Sequence, residues 1–158
     1  MVRAFMIAAV SCAVLALSPP ALAQQGKYST EAEAKAMLTK AIAAVKADKT
    51  KALDMFNKGE GGFADRDLHP FCFNKSDGKI LAVSNQYSKQ YLGKDVRSLT
   101  DSKGKVYGPE LYTAAQKPDG QISEVHYMFP RPDNPTPVEK ESYVTGVGDV
   151  GCGVGYYE

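Results

Sequence analysis

The sequence predicts an α+β domain: N-terminal helices packed on a five-stranded antiparallel sheet. Three observations carry that expectation. Apolar residues between 30 and 58 recur at spacings of three and four. Those in 68–84 and 121–157 fall into short runs bounded by turn residues. One long crossing, residues 85–118, separates the two groups of runs. Helices followed by strands joined through tight turns favour antiparallel pairing over a parallel βαβ arrangement.

The first helix follows from Thr30-x-x-Glu33, a capping box, and runs to about Ala47. Met37, Leu38, Ala41, Ile42, Ala44 and Val45 give it one apolar face, with Lys35, Lys40 and Lys46 in solvent. A second, shorter helix starts at Thr50 as N-cap, buries Leu53, Met55 and Phe56, and stops at Gly59. Residues 68–74 form the first strand, Ser76-Asp77-Gly78 a hairpin turn, and residues 79–84 the second strand. Within the crossing, Pro109 begins a short helix to Gln116, because proline suits a first helical turn. Asp119-Gly120 turns into a third strand, 121–129. Prolines at 130, 132, 135 and 137 define a loop over 130–138. A fourth strand occupies 139–147 and a fifth 152–157.

Residues 1–23 read as a secretory leader. Arg3 supplies the positive end, Ala4 to Leu17 is apolar but too short to span a bilayer, and Ala21-Leu22-Ala23 is a cleavage site. Cutting after Ala23 leaves residues 24–158 as one domain-sized unit, expected to be periplasmic or secreted. Cys12 as a lipoprotein cysteine is the weaker reading, since the leucine usual three residues earlier is missing. Only Arg3 is lost among the charges, so the mature chain balances 18 basic against 18 acidic residues. With no basic block, nucleic acid and anionic membrane are poor partners.

Two cysteines remain, Cys72 and Cys152. Outside the cytoplasm they are read as a disulfide, with two buried free thiols as the alternative. A bond between them closes a long loop, a stabilisation of about 4 kcal/mol by loop entropy.

Signals for catalysis and cofactors fail on context. Gly146-x-Gly148-x-x-Gly151 matches a dinucleotide string, but no helix can follow it. Those glycines fit a hairpin turn and close backbone packing instead. His69 and His126 are the only histidines, and with the cysteines paired no tetrahedral zinc set is evident. Asp65 and Asp67 lack an EF-hand loop. Neither a haem-attachment motif nor a nucleophile elbow occurs. No cofactor, metal or enzymatic activity is expected.

From about Ala32 onward the chain resembles a single Cache domain, a PAS-like extracytoplasmic sensory unit. Carrying the likeness are Ala64-Asp65-Arg66-Asp67-Leu68, Phe71-x-Phe73, and Asp77-Gly78-Lys79-Ile80-Leu81-Ala82. Leu92-Gly93-Lys94-Asp95-Val96, Leu99-Thr100-Asp101, Val125-His126-Tyr127, Lys140-Glu141-Ser142-Tyr143-Val144 and the run from Val150 to Tyr157 continue it. The resemblance implies a PAS-like sheet with its first and last strands adjacent, which favours the Cys72–Cys152 bond. It also implies a small organic ligand, anionic and carboxylate-like, held between sheet and crossing. Members usually sit in a receptor with a membrane helix after the final strand; stopping at Glu158, this chain is read as a stand-alone soluble version. Relatives often carry tryptophan in the third and fifth strands, whereas this chain has none.

The ligand-binding candidates gather near the proline segment. By the resemblance, Lys140 and Tyr143 match the family's lysine and tyrosine. Arg131 is a second cation, and Phe73, Tyr127 and Phe129 form an apolar wall under a roof from Tyr112. A cation beside an aromatic wall suits a carboxylate through charge-assisted hydrogen bonds. Lys140 and Tyr143 differ by three, so a regular strand sends them to opposite faces. Both reach one pocket only through a bulge, or if Lys140 precedes the regular part. The function expected is ligand sensing without catalysis, presented to a membrane receptor or kinase. The alternative is an interaction module that docks such a receptor without a small ligand. A homodimer stays open.

Overall fold

The computed structural model describes residues 26–158; the leader and its cleavage site lie outside the described residues. Helix α1 spans Glu31–Ala47 and opens on the expected capping box. The Thr30 hydroxyl accepts from the Glu33 amide, and the Thr30 amide donates to the Glu33 carboxylate at 2.7 Å. Ala34, Leu38 and Ala41 are fully buried along one stripe. Helix α2, Lys49–Lys58, starts two residues earlier than the sequence suggested: Asp48, not Thr50, is its N-cap, accepting from Lys51 N at 3.0 Å. Asp48 ends α1 and begins α2 together, so no linker separates the two helices. Gly59 closes α2 in the left-handed region (φ 69°), as its position implied.

The sheet contains β1 (Pro70–Asn74), β2 (Ile80–Val83), β3 (Ser123–Arg131), β4 (Asn134–Val147) and β5 (Val150–Tyr157). Its order is β2-β1-β5-β4-β3 and every neighbouring pair is antiparallel. First and last strands therefore lie side by side. Cys72 and Cys152 are direct cross-strand partners and form a disulfide, with Cα atoms 4.2 Å apart and both side chains buried.

The proline segment is not a loop. It is the end of a long hairpin, in which β3 and β4 pair from Ser123↔Val144 to Pro130↔Pro137. Strand alternation explains why the prolines are tolerated. Met128 N–H points out of the ladder to the Asp101 carboxylate, so Pro130, two residues on, has its missing N–H on the open edge. Pro137 lies beyond the reach of β5, whose pairing with β4 begins at Lys140↔Tyr157. Neither ring removes a ladder hydrogen bond.

Helices α1 and α2 cover one face of the sheet. The crossing between β2 and β3 covers the other, with two single turns of 3₁₀ helix (Lys89–Tyr91 and Val96–Ser98) and α3, Gly108–Gln116. Two cores result. Phe56, Phe63, Cys72, Val147 and Val150 fill the helix side, and Leu38, Leu68, Tyr143 and Val154 continue it along α1. Phe73, Val96, Leu111, Tyr127, Val144 and their neighbours fill the crossing side. Among the described residues, no helix is long and apolar enough to cross a membrane.

Candidate functional site

Strand β5 makes room on the crossing face by omitting side chains. Gly151, Gly153 and Gly155 alternate along that face. A Cβ at Gly151 would meet the Phe73 ring at 2.7 Å, one at Gly153 the Phe71 ring at 2.5 Å, and one at Gly155 Lys140 Cε at 2.5 Å. The rings of β1 and the lysine stem of β4 thus lie flat across β5. This is the close packing the glycine run suggested, and it shapes a site.

The cavity sits between sheet and crossing. Phe71, Tyr127 and Phe129 line it from the sheet, and Ser88, Tyr91, Leu99, Tyr107 and Leu111 from the crossing, with His69 and Lys140 as its basic groups. Its volume is about 40 Å³, room for roughly three waters at about 10–15 Å³ each. The Tyr107 and Tyr127 rings stack at 4.0 Å, nearly parallel, and tie the crossing to β3.

Lys140 is the unusual member. It is 3 % exposed. Its Nζ lies 4.7 Å from the Tyr157 ring centroid and 5.2 Å from that of Phe129. Its one hydrogen bond among the described residues is a long one, 3.4 Å, to the Tyr157 hydroxyl. That hydroxyl itself donates to Pro130 O at 2.6 Å. An ammonium has three donors, so two meet no acceptor among the described residues. Burial pulls its pKa down to about 7, opposed by the nearby Asp67 carboxylate. His69 is also buried; burial first, and then the charge of Lys140, lower its pKa to about 3, so it is neutral at physiological pH. Burial raises Tyr127 to about 12, with the Ser142 hydrogen bond at 2.8 Å working against it.

Of the seven candidates read from the sequence, Lys140, Tyr127 and Phe129 line this cavity. The others stand elsewhere. Lys140 and Tyr143 belong to a regular stretch of β4, paired without a bulge to both neighbours. Tyr143 accordingly faces α1, packing with Met37 and Leu38. Arg131 sits beside the Tyr28 and Tyr157 rings and donates to Glu158 O at 3.2 Å, outside the lining. Phe73 and Tyr112 pack against each other next to the cavity, and the Tyr112 hydroxyl donates to Lys75 O at 2.7 Å. His69, Phe71, Ser88, Tyr91 and Tyr107 are lining residues that the sequence reading did not select. Phe71 alone was legible, since it shares a strand face with Phe73.

A helix-backed antiparallel sheet in the order 2-1-5-4-3, closed by a long crossing over a small cavity, is the PAS-like architecture of extracytoplasmic sensors. The chain belongs to the family described as single Cache domain 2, which matches residues 20–157. Among solved structures it is similar to a methyl-accepting chemotaxis protein from Vibrio parahaemolyticus, with TM-score 0.62 and 21 % identity over 80 % of this chain and 87 % of that one. A periplasmic sensor domain of a chemotaxis protein matches with TM-score 0.58 and 18 % identity, covering 80 % and 88 % of the two chains. A Cache chemosensory domain solved for carboxylic acid recognition matches with TM-score 0.57 and 18 % identity, covering 80 % and 86 %. No curated protein matches the sequence.

Proposed function

We propose that this domain binds a carboxylate of two or three carbons in the cavity and reports its occupancy to a partner, by recognition without chemistry. One observation carries the reading: a buried ammonium, walled by aromatic rings, with two donors that meet no acceptor among the described residues. An isolated buried charge is costly, and an anion that accepts from it removes the cost. Tyr127, Phe129 and Phe71 bury the short stem. Ser88 and Tyr91 of the crossing lie over it, so ligand orders that segment. The small volume limits the ligand to very few heavy atoms. The carboxylic acid recognised by one of the similar structures agrees with this chemistry. The leader pattern of residues 1–23 supports a periplasmic or secreted location, and a membrane receptor or kinase as the partner.

A thermal-shift and calorimetric titration with two- to four-carbon carboxylates, each beside its amide, tests the reading. A fitting acid at a hundredfold excess over its dissociation constant raises stability by about 2.7 kcal/mol, while its amide has little effect. Lys140→Met loses the response. No response to any acid at millimolar concentration overturns the proposal.

A further inference from the structure

The opposite face of the same hairpin carries a second group of ligating side chains. Glu124 and His126 are two apart on β3 and share a face. Glu141 is the direct partner of His126 on β4. One donor atom from each lies within 4.8 Å of the others. The backbone sets this spacing. His126 O points out of the ladder and accepts from Lys105 Nζ at 2.7 Å. His126 and Glu141 are therefore a non-hydrogen-bonded pair, in which facing side chains approach most closely.

The group is more than an acidic patch, because a nitrogen donor stands between two carboxylates and one of those carboxylates is buried. The Glu141 side chain is 10 % exposed. Oε2 accepts from the Tyr156 hydroxyl at 3.2 Å, and the Tyr143 hydroxyl is a second phenol donor beside the same carboxylate. Among the described residues no lysine or arginine forms an ion pair with Glu124 or Glu141; Lys35 of α1 acts on both only at longer range, and the His126 imidazole nitrogen Nδ1 lies 3.9 Å from Glu141. A buried charge is ordinarily paired directly with an opposite charge or coordinates a metal. A fourth oxygen is at hand, since Glu158 Oε1 is 3.8 Å from His126 Nδ1.

The geometry points to a divalent-cation site at Glu124, His126 and Glu141, with Glu158 as a fourth ligand. Bonds of about 2.0–2.2 Å need the donors to draw in by roughly an ångström. Glu124 and His126 are exposed and close by side-chain rotation, while Glu141 stays fixed by the core. One imidazole with carboxylates suits a borderline first-row ion such as zinc over magnesium or calcium, which take all-oxygen sets. A bound ion neutralises the buried carboxylate and fastens edge strand β3 to β4.

Calorimetric titration of the untagged protein with zinc chloride tests the site, with cobalt absorption as a second readout of coordination. One ion per chain is expected, reversed by chelator, with magnesium and calcium binding much more weakly. Glu141→Gln should weaken zinc binding by more than the roughly 10- to 100-fold that loss of an outer-shell partner brings. Glu141 is buried, so exposed His126→Ala and Glu124→Gln, which leave the fold intact, should each weaken binding as well. Absence of saturable zinc binding, one ion shared by two chains, or binding unchanged in the His126→Ala and Glu124→Gln double variant overturns the proposal.

Discussion

The two faces of the sheet are built from the same strands to different ends. Toward α1 and α2 the surface around the disulfide is closed and apolar, with Phe56, Val147 and Val150 beside it. Toward the crossing the same strands present a lysine and a serine, Lys140 and Ser142, among the rings, and a neutral His69 just before β1 and Ser88 of the crossing join them. Strand β4 shows the division residue by residue. Tyr143 and Val147 go to the helix side, Lys140 and Val144 to the crossing side. The helix face is optimised for stability. The crossing face gives some of it up, because a buried ammonium without full partners opposes folding. Such a sacrifice is expected where binding is the purpose.

Breaking the helix face should give the largest effect on stability. Replacing Cys72 and Cys152 together with alanine removes a crosslink spanning 80 residues, which costs about 4 kcal/mol by loop entropy. Urea denaturation should read that loss, while carboxylate binding by the folded fraction persists.

On the crossing face the signature is in pH. Lys140 has a folded pKa of about 7, below its ordinary 10.5. As pH falls from about 10.5 toward 7, the unfolded chain takes up a proton that the folded chain does not. The native state therefore loses up to about 1.4 kcal/mol per pH unit in that window, and no more below it. Lys140→Met lacks this slope, so its stability relative to the parent should rise as pH falls through the window and level off below 7. Denaturant midpoints at pH 6, 8 and 10 suffice to check it. Carboxylate affinity runs the other way, because the anion needs the protonated amine. The dissociation constant should be flat just below pH 7 and increase about tenfold per unit above it. An affinity that does not vary between pH 6 and 9 removes Lys140 from the binding role.

A smaller effect is expected from the floor of the cavity. Gly155→Ala puts a methyl group against Lys140 Cε, an overpacking cost of about 1–3 kcal/mol. Ligand response should fall with it as the amine is displaced. The least effect belongs to Tyr143→Phe. That hydroxyl is on the helix side, so carboxylate response should be unchanged and stability should move by less than about 1 kcal/mol. A lost response there would put Tyr143 back in the site and contradict the division between faces.

Local chemistry was legible wherever a residue acts through its own neighbours. The Thr30–Glu33 box, the Gly59 stop and the turn at Asp77-Gly78 were all readable, because caps and turns are decided within a few residues. The two local misreadings concern competition between neighbours. Asp48 took the cap from Thr50 because two helices meet there, and Pro130 and Pro137 stayed in strands because their missing amides fall outside the ladder. Of the site, Lys140, Tyr127 and Phe129 were visible as a cation and rings close in sequence. His69, Ser88, Tyr91 and Tyr107 were not, since they converge from three separated segments, the residue before β1, the turn at 88–91 and the start of α3.

By itself the sequence determined the α+β class, the helix boundaries to within a residue or two, and the alternation that splits β4 between faces. The pairing order was settled only in three dimensions, and everything dependent on it followed: Cys72 opposite Cys152, His126 opposite Glu141, Lys140 beneath the crossing. The physical reason is range. Periodicity and capping are interactions among residues a few positions apart, whereas a cavity or a ligand set consists of contacts between strands whose register no local rule fixes.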